Sequence, residues 1–151
     1  MRRLILSCIL LFTCWVGFGQ QVPEASANSP EFGYFTPGDS ITVHLARLNL
    51  IANKGGGSFY CEAVAPQDPA FAVDGVSPSR VAVQSEKYII KSVAADFKPE
   101  AYSTVYAALR KKYGEAVKQP DGRLYWIRGN LGVCFGKYAT EKSYCLLLQQ
   151  L

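Results

Sequence analysis

Polar and apolar residues divide the chain into an apolar opening, a polar stretch and a long patterned part. From residue 39 onward, apolar residues recur either at three- and four-residue steps or at alternate positions. The first spacing is typical of amphipathic helices and the second of half-buried strands. The pattern therefore predicts an α+β fold, in which one or two helices cover one face of an antiparallel sheet.

The clearest helix follows Pro99 and ends before Gly114. Proline suits a first helical turn, because its missing N–H would be unpaired there, and glycine suits the residue after a helix. One apolar stripe runs along the segment, made of Tyr102, Val105, Leu109 and Tyr113. The stripe predicts a helix that packs on a sheet.

Strand patterns lie on both sides of this helix. SFYCEAVA (58–65) predicts one strand, and RVAVQSEKYIIKSVAADF (80–97) predicts two strands about a turn near Ser85 to Lys87. The buried positions predicted for this pair are Val81, Val83, Ile89 and Val93. After the helix, RLYWIR, GVCFGKY and SYCLLLQ (123–149) predict an antiparallel meander.

The segment DSITVHLARLNLIAN (39–53) fits two structures. A helical stripe of Ile41, Leu45, Leu48 and Ala52, capped by Ser40, favours a helix, whereas the β-branched residues near Ile41 to Val43 fit a strand. The helix is the favoured interpretation, and three consecutive glycines then break the chain. If this helix forms, the sequence predicts a domain of tandem α-β-β units.

The first residues predict export. A basic MRR precedes the apolar LILSCILLFTCWVGF, and small residues follow, as in a secretory signal peptide. We predict a signal peptide over 1–19, with 27 as the alternative end, a flexible tether over 20–38 and a single domain over 39–151. The alternative, a membrane anchor, needs about 20 apolar residues. The predicted location is secreted or periplasmic, with no membrane span in the mature chain.

Charge and residue inventory exclude several functions. The net charge of +4 falls to +2 once Arg2 and Arg3 leave with the signal peptide, which is too little for a nucleic-acid-binding surface. His44 is the one histidine, and no C-x-x-C or H-E-x-x-H motif is present. We therefore predict no metal, no cofactor and no catalytic residue.

Aromatic residues and cysteines are the remaining candidates for a site. Tyr125 and Trp126 are adjacent on a predicted strand and so point to opposite faces, where they either pack or form a binding surface. Three cysteines follow the signal peptide, so at least one stays outside any intrachain bridge. A four-residue turn over 138–141 would place Cys134 opposite Cys145 and allow a disulfide on the outer face. Pairing of Cys61 with either one is the alternative.

The helix region also resembles known proteins. The pattern F-x4-Y-x2-V-x2-AL-x2-KYG, followed by Trp126 and a hairpin, is formed by Phe97, Tyr102, Val105, Ala108, Leu109 and Lys112 to Gly114. It resembles an arrangement in small exported bacterial α+β proteins. PGDSITVHLARL is similar to the first helix of the BamE-type assembly lipoproteins and of the β-lactamase inhibitor protein. The resemblance implies a helix-on-sheet domain that binds other proteins.

These observations predict a small exported domain that binds a protein partner. The alternatives are a small exported enzyme, of a hydrolase-like kind, whose site the sequence does not reveal, and a carrier of a small ligand between helix and sheet. The single histidine and the absence of a recognised catalytic motif favour the non-enzymatic interpretations.

Overall fold

A computed structural model of the chain describes residues 31–137 and 142–151. The predicted signal peptide, with either of its ends, lies outside the described residues, as does the predicted turn over 138–141. Within the described residues eight strands form one antiparallel sheet. They are β1 (Leu48–Gly55), β2 (Ser58–Ala63), β3 (Arg80–Glu86), β4 (Ile89–Phe97), β5 (Val117–Lys118), β6 (Leu124–Arg128), β7 (Leu131–Lys137) and β8 (Tyr144–Gln150).

The sheet consists of two meanders joined by their last strands. The strand order is β1-β2-β3-β4-β8-β7-β6-β5, and a helical segment precedes each meander. Before β1 this segment is the 3-10 helix Ile41–Arg47; before β5 a 3-10 turn, Pro99–Ala101, leads into α1, Tyr102–Tyr113. A further 3-10 helix, Pro69–Phe71, lies between β2 and β3. The α+β class is supported, but each unit has four strands, whereas the strand patterns predicted three and the tandem α-β-β arrangement has two.

The helix α1 has the bounds and the buried stripe that the sequence predicts. Val105, Leu109 and Tyr113 are buried, and Gly114 follows with a φ of +81°, a conformation in which glycine lacks the strain of other residues. The Tyr102 ring lies 5.4 Å from that of Phe135 on β7. Aromatic contacts therefore join α1 to the second meander.

One row of side chains forms the centre of the core. Direct cross-strand pairing connects six strands from β2 to β6 through residues that are each at most 2% exposed. The row consists of Cys61, Val83, Val93, Leu148, Val133 and Trp126. These residues share one core cluster with Ile41, Phe71, Val105 and Leu109 from the helical segments.

The hairpin of β3 and β4 corrects one buried position. Val81, Val83 and Val93 are buried as predicted, but Ile90 is buried where Ile89 was expected. The register shifts between Gln84 and Ser85, because Gln84 pairs with Ser92 whereas Ser85 pairs with Ile90. This bulge moves the alternation by one residue, which a strict period of two cannot predict.

The segment 39–53 combines both predicted structures. Ser40 caps the 3-10 helix by accepting a hydrogen bond from the Thr42 N–H at 3.4 Å, as predicted. The predicted helical continuation to Ala52 is wrong, because the chain becomes β1 at Leu48 and pairs with β2. Leu45 of the predicted stripe is exposed. Long-range pairing has overridden the local helical pattern.

The predicted tether over 20–38 is wrong for its last eight residues, 31–38, which the structure describes. Phe32 and Phe35 are buried and exchange two backbone hydrogen bonds, of 3.0 and 3.1 Å, about a tight turn. Both rings stack on Phe71, at centroid distances of 5.8 and 5.5 Å. Two phenylalanines order this segment although its average composition is polar, because each buries a large apolar area.

Candidate functional site

A continuous row of residues lies directly behind the central core row, on the other face of the sheet. Each core-row residue has a sequence neighbour that points to the other face of the sheet, and these neighbours are again cross-strand partners. We call this row the polar lane. It consists of Tyr60, Gln84, Ser92, Gln149, Gly132 and Ile127.

The polar lane is accessible and carries no charge. Its side chains are half-buried apart from Gly132, so they are neither packed in the core nor fully solvated. Tyr60 stands at one end and Ile127 at the other, with amide and hydroxyl groups between them. The row thus combines one aromatic ring and one aliphatic side chain with amide and hydroxyl groups that can form hydrogen bonds.

Charged groups flank the lane beside Tyr60. Arg80 holds Asp96 through Nε and Nη2, both 2.7 Å from Oδ2, and its Nη1 lies 3.6 Å from Glu62 Oε1. Tyr60 donates a hydrogen bond of 3.2 Å to the same Glu62 oxygen. The Arg80 guanidinium has a raised pKa; burial opposes this shift, but the Asp96 charge and hydrogen bond outweigh it. Both carboxylates are therefore engaged in an ion-pair network that fixes the Tyr60 hydroxyl.

Tyr125 lies on this same outer face, at its opposite end. It is the direct partner of Cys134, and Arg123 lies with its guanidinium carbon 5.9 Å from the Tyr125 ring centre. Burial raises the pKa of Tyr125, and Cys134 raises it further, while Arg123 lowers it. Arg123 Nε also donates to Asp121 at 2.7 Å. A tyrosine therefore stands near each end of the outer face.

Trp126 cannot share a binding surface with Tyr125. Its side chain is 2% exposed, in the core row, and its Nε1 donates to the Gly114 carbonyl at 2.9 Å. The predicted opposite orientation of the two neighbours is present, with Tyr125 outward. The predicted surface of Tyr125 and Trp126 is thus corrected to Tyr125 alone, because strand alternation places the second aromatic ring in the core.

The hairpin cysteines are not opposite each other. Cys134 pairs with Leu147, and Cys145 pairs with Gly136. Lys137 pairs with Tyr144, so the connection is two residues longer than the predicted turn. The structure has no disulfide among its described residues, and the predicted Cys134 to Cys145 bridge is wrong for this register. A two-residue shift keeps every side chain on its face, so the predicted inward orientation of Val133 and Phe135 is correct.

Cys61 gives no support to the alternative bridge. Its side chain is 2% exposed in the core row, on the inner face, whereas Cys134 and Cys145 point to the outer face. Burial raises the pKa of the Cys61 thiol, which makes it a poor nucleophile.

A cleft lies between α1 and the sheet. It has a volume of about 340 Å³, and Leu109, Leu146 and Leu148 form apolar parts of its wall. Glu31, Asp74 and Lys112 add charged groups to the lining. The volume is at the lower end of the range for small-molecule sites, roughly 300–1,000 Å³.

His44 lies on the same side as the core. Its ring meets Phe35 edge-on at 5.3 Å, and its Nε2 is buried with no hydrogen-bond partner in the described structure. Burial lowers the pKa of His44; Asp39 opposes this shift, and Arg47 adds to it. The lowered pKa favours the neutral ring, and the contact with Phe35 indicates a packing role.

Residues 31–137 and 142–151 contain neither a metal-ligand cluster nor a membrane-spanning helix. No group of three or more His, Cys, Asp or Glu side chains there could hold a metal ion. No helix in the same ranges is long and apolar enough to cross a membrane. Comparison with protein-family models, curated proteins and solved structures gave no match to the chain. The resemblance to BamE-type proteins and the β-lactamase inhibitor protein therefore stays a prediction.

Sequence reasoning missed most of the polar lane. Gln84 and Ser92 are each next to a valine that was predicted to be buried, so alternation could have placed them outward. Their alignment with Gln149 across β8 depends on which strands are neighbours. That order joins residues far apart in the chain, and no local pattern encodes it.

Proposed function

We propose that this protein is an exported binding domain that recognises a partner protein through the polar lane. The supporting observation is the row of uncharged, half-buried side chains that crosses six strands behind the core row. A sheet face of this kind is rigid, because each side chain is attached to a strand whose other face is packed. Little conformational entropy is lost when such a surface binds.

The arrangement of charges supports the same function. Glu62, Arg80 and Asp96 beside one end, and Arg123 beside Tyr125, lie outside the polar lane. Protein interfaces have this anatomy, with charged groups depleted at the centre and retained at the rim. The partner we propose is a folded protein whose contact surface offers uncharged hydrogen-bonding and aromatic groups.

Export is part of the proposal. The basic start and the apolar run after it support a signal peptide, and a secreted or periplasmic location follows from it. A fusion of residues 1–27 to a reporter that is active only outside the cytoplasm should be active. Recovery of the unprocessed chain from the cytosol alone would contradict this location.

Affinity capture with a lane variant tests the binding function. The wild-type protein is immobilised beside Gln149→Lys, which puts a charge in the middle of the lane, and Ala107→Lys, which puts the same charge on an exposed position of α1. We expect a specific partner to be retained by the wild type and the α1 variant and lost with the lane variant. Equal retention by all three proteins would contradict a lane-mediated contact.

The cleft beside α1 supports a second candidate function, the carriage of a small ligand with both apolar and polar groups. Its apolar wall and its position between helix and sheet are the observations that favour it. The uncharged fluorophore N-phenylnaphthylamine is a suitable probe. Ala108→Trp would fill the cleft, whereas Ala107→Trp, at the exposed neighbouring position, would not. Binding that survives Ala108→Trp unchanged would exclude the cleft.

A further inference from the structure

A second pocket lies where the end of β2 meets the 3-10 helices before β1 and before β3. Its volume is about 220 Å³, and it shares no lining residue with the cleft or with the polar lane. Ala63 and Phe71, which are 8% and 2% exposed, and the exposed Val64 form apolar parts of its lining. The polar residues of the lining are Tyr34, Arg47 and Asp68, and we call it the Tyr34 pocket.

Tyr34 contacts both charged residues of this pocket. The guanidinium carbon of Arg47 lies 4.5 Å from the centre of the Tyr34 ring, and the Tyr34 hydroxyl donates a hydrogen bond of 3.1 Å to Asp68 Oδ2. The other carboxylate oxygen of Asp68 accepts from the Ala70 N–H at 2.9 Å. Arg47 and Asp68 form no ion pair with each other. Two opposite charges therefore stay separate beside one small pocket.

Both charged groups can still bind a ligand. A guanidinium has five N–H donors, and those of Arg47 have no acceptor among the described residues. A carboxylate has about four acceptor positions, and the two hydrogen bonds to Asp68 leave the others available. The planar fork of a guanidinium can bind a carboxylate through two parallel hydrogen bonds.

Hydrogen bonds fix the backbone around the pocket. The Val64 N–H donates to the Arg47 carbonyl at 2.9 Å, and the Asp68 N–H donates to the Ala65 carbonyl at 3.1 Å. The Phe71 N–H in turn donates to the Asp68 carbonyl at 2.9 Å. Both charged residues thus have an ordered backbone, which reduces the conformational entropy lost on binding.

We propose that the Tyr34 pocket binds a free α-amino acid with an apolar side chain. Arg47 binds the carboxylate, Asp68 binds the ammonium group, and the ligand side chain packs on Ala63 and Phe71. A ligand with only a carboxylate would place a second anion beside Asp68, and one with only an ammonium group would place a second cation beside Arg47. A zwitterion complements both residues. The volume is below the range of roughly 300–1,000 Å³ for larger ligands and suits a single amino acid.

This site goes beyond the proposed function, and the polar lane does not depend on it. Titration of the ¹⁵N-labelled protein, as recovered from the expressing host, with L-leucine tests it by NMR. The Val64 and Ala70 amides report on Arg47 and Asp68, since each N–H is bonded to one of these residues. We expect both signals to shift saturably in the millimolar range, because so small a ligand forms few contacts. Leucinamide, which lacks the carboxylate, N-acetylleucine, which lacks the ammonium group, and glycine, which lacks the side chain, should each bind roughly tenfold more weakly or worse.

Variants that remove one charge should reverse the preference among these ligands. Arg47→Gln should prefer leucinamide to leucine, because the ligand carboxylate then has no cation to bind. Asp68→Asn, whose amide oxygen can still accept from Ala70, should prefer N-acetylleucine. Arg110→Gln removes the same charge from an exposed position of α1 and should leave the wild-type preference intact. The Trp126 indole signal, which reports on the core row, verifies that each variant is folded.

The titrations also define what would contradict the site. Absence of a saturable shift with leucine in the wild type would overturn the proposal. An unchanged order of leucine, leucinamide and N-acetylleucine in folded Arg47→Gln and Asp68→Asn would overturn it as well, because the two charges would then not recognise the ligand.

Discussion

Trp126 donates its indole N–H to the Gly114 carbonyl at 2.9 Å, so β6 holds the residue that ends α1. Arg128 of the same strand donates Nη2 to the Tyr113 carbonyl. The last carbonyls of a helix have no partner within the helix. Here two side chains of the sheet supply partners, and the helix end and the strand stabilise each other.

Replacement of Trp126 should measure this coupling. We expect Trp126→Phe to lower the free energy of unfolding by about 1 kcal/mol or more, for the lost hydrogen bond, and Trp126→Ala by about 3–5 kcal/mol, for the cavity in the core row. Urea unfolding followed by circular dichroism gives both values. Tyr88→Phe, at a tyrosine that is 51% exposed, is the control, and an equal loss there would contradict the distinct role of Trp126.

The register of the last hairpin can be checked with one added cysteine. Leu147→Cys places a thiol opposite Cys134. Directly opposed residues have Cα atoms about 4.5–5.5 Å apart, within the disulfide range. We expect mild oxidation to link Cys134 to position 147 in the variant, as shown by peptide mapping without reduction. A Cys134 to Cys145 linkage in the wild type would instead restore the register predicted from the sequence.

The sequence predicted those elements whose apolar pattern is visible among neighbouring residues. The stripe of α1 and the burial of Val81 and Val83 on β3 required only neighbouring residues, and the structure has both. The segment at 48–53 could not be decided in this way, since the same leucines fit a helical stripe and a strand. The segment forms a strand because it pairs with β2 across the glycine turn.

The candidate site was predicted only in part, for the same reason. The opposite orientation of Tyr125 and Trp126 follows from strand alternation alone. The residues around Tyr125 depend on the register between β7 and β8. The predicted turn between these strands was two residues too short, so Cys134 was placed opposite Cys145, whereas its partner in the structure is Leu147. Turn length sets hairpin register, and the sequence between Lys137 and Tyr144 did not show it.

Tyr113 should make the fold sensitive to alkaline pH. Burial raises the pKa of this phenol to about 12 from 10, with Arg128 lowering it and Glu31 raising it. Between these two values the unfolded chain releases a proton that the folded chain keeps, so stability is full below pH 10 and falls as the pH rises toward 12. The loss is on the order of 2 kcal/mol.

The Tyr113→Phe variant isolates this effect from other tyrosines. Urea unfolding at a neutral pH and at several values above pH 10 should show a smaller decline in the variant than in the wild type. Parallel declines would mean that Tyr113 ionises as easily in the folded chain as in the unfolded one.

His44 should make the stability of the fold depend on pH in the acid range. Burial lowers its pKa below 6.5, so the unfolded chain binds a proton before the folded chain does. Stability should therefore be full above pH 6.5 and fall as the pH decreases through the lowered pKa of the folded state. His44→Phe keeps a ring beside Phe35 and should remove this part of the pH dependence. Unfolding curves between pH 5 and pH 8 provide the comparison, and an unchanged slope would exclude His44 as its source.

Gly57 and Gly56 offer a matched test of the β1 to β2 turn. Both have positive φ, +78° and +60°, so alanine is strained at either position. A Cβ at Gly57 would also lie 2.6 Å from Tyr88 Cδ2 and 2.8 Å from the Tyr88 backbone N, which donates to the Gly57 carbonyl, whereas a Cβ at Gly56 meets nothing within 4 Å. We expect Gly56→Ala to cost about 1 kcal/mol and Gly57→Ala about 1–3 kcal/mol more. Equal losses in urea unfolding would mean that the Tyr88 backbone yields, and that this turn is not fixed by its contact with the β3 to β4 hairpin.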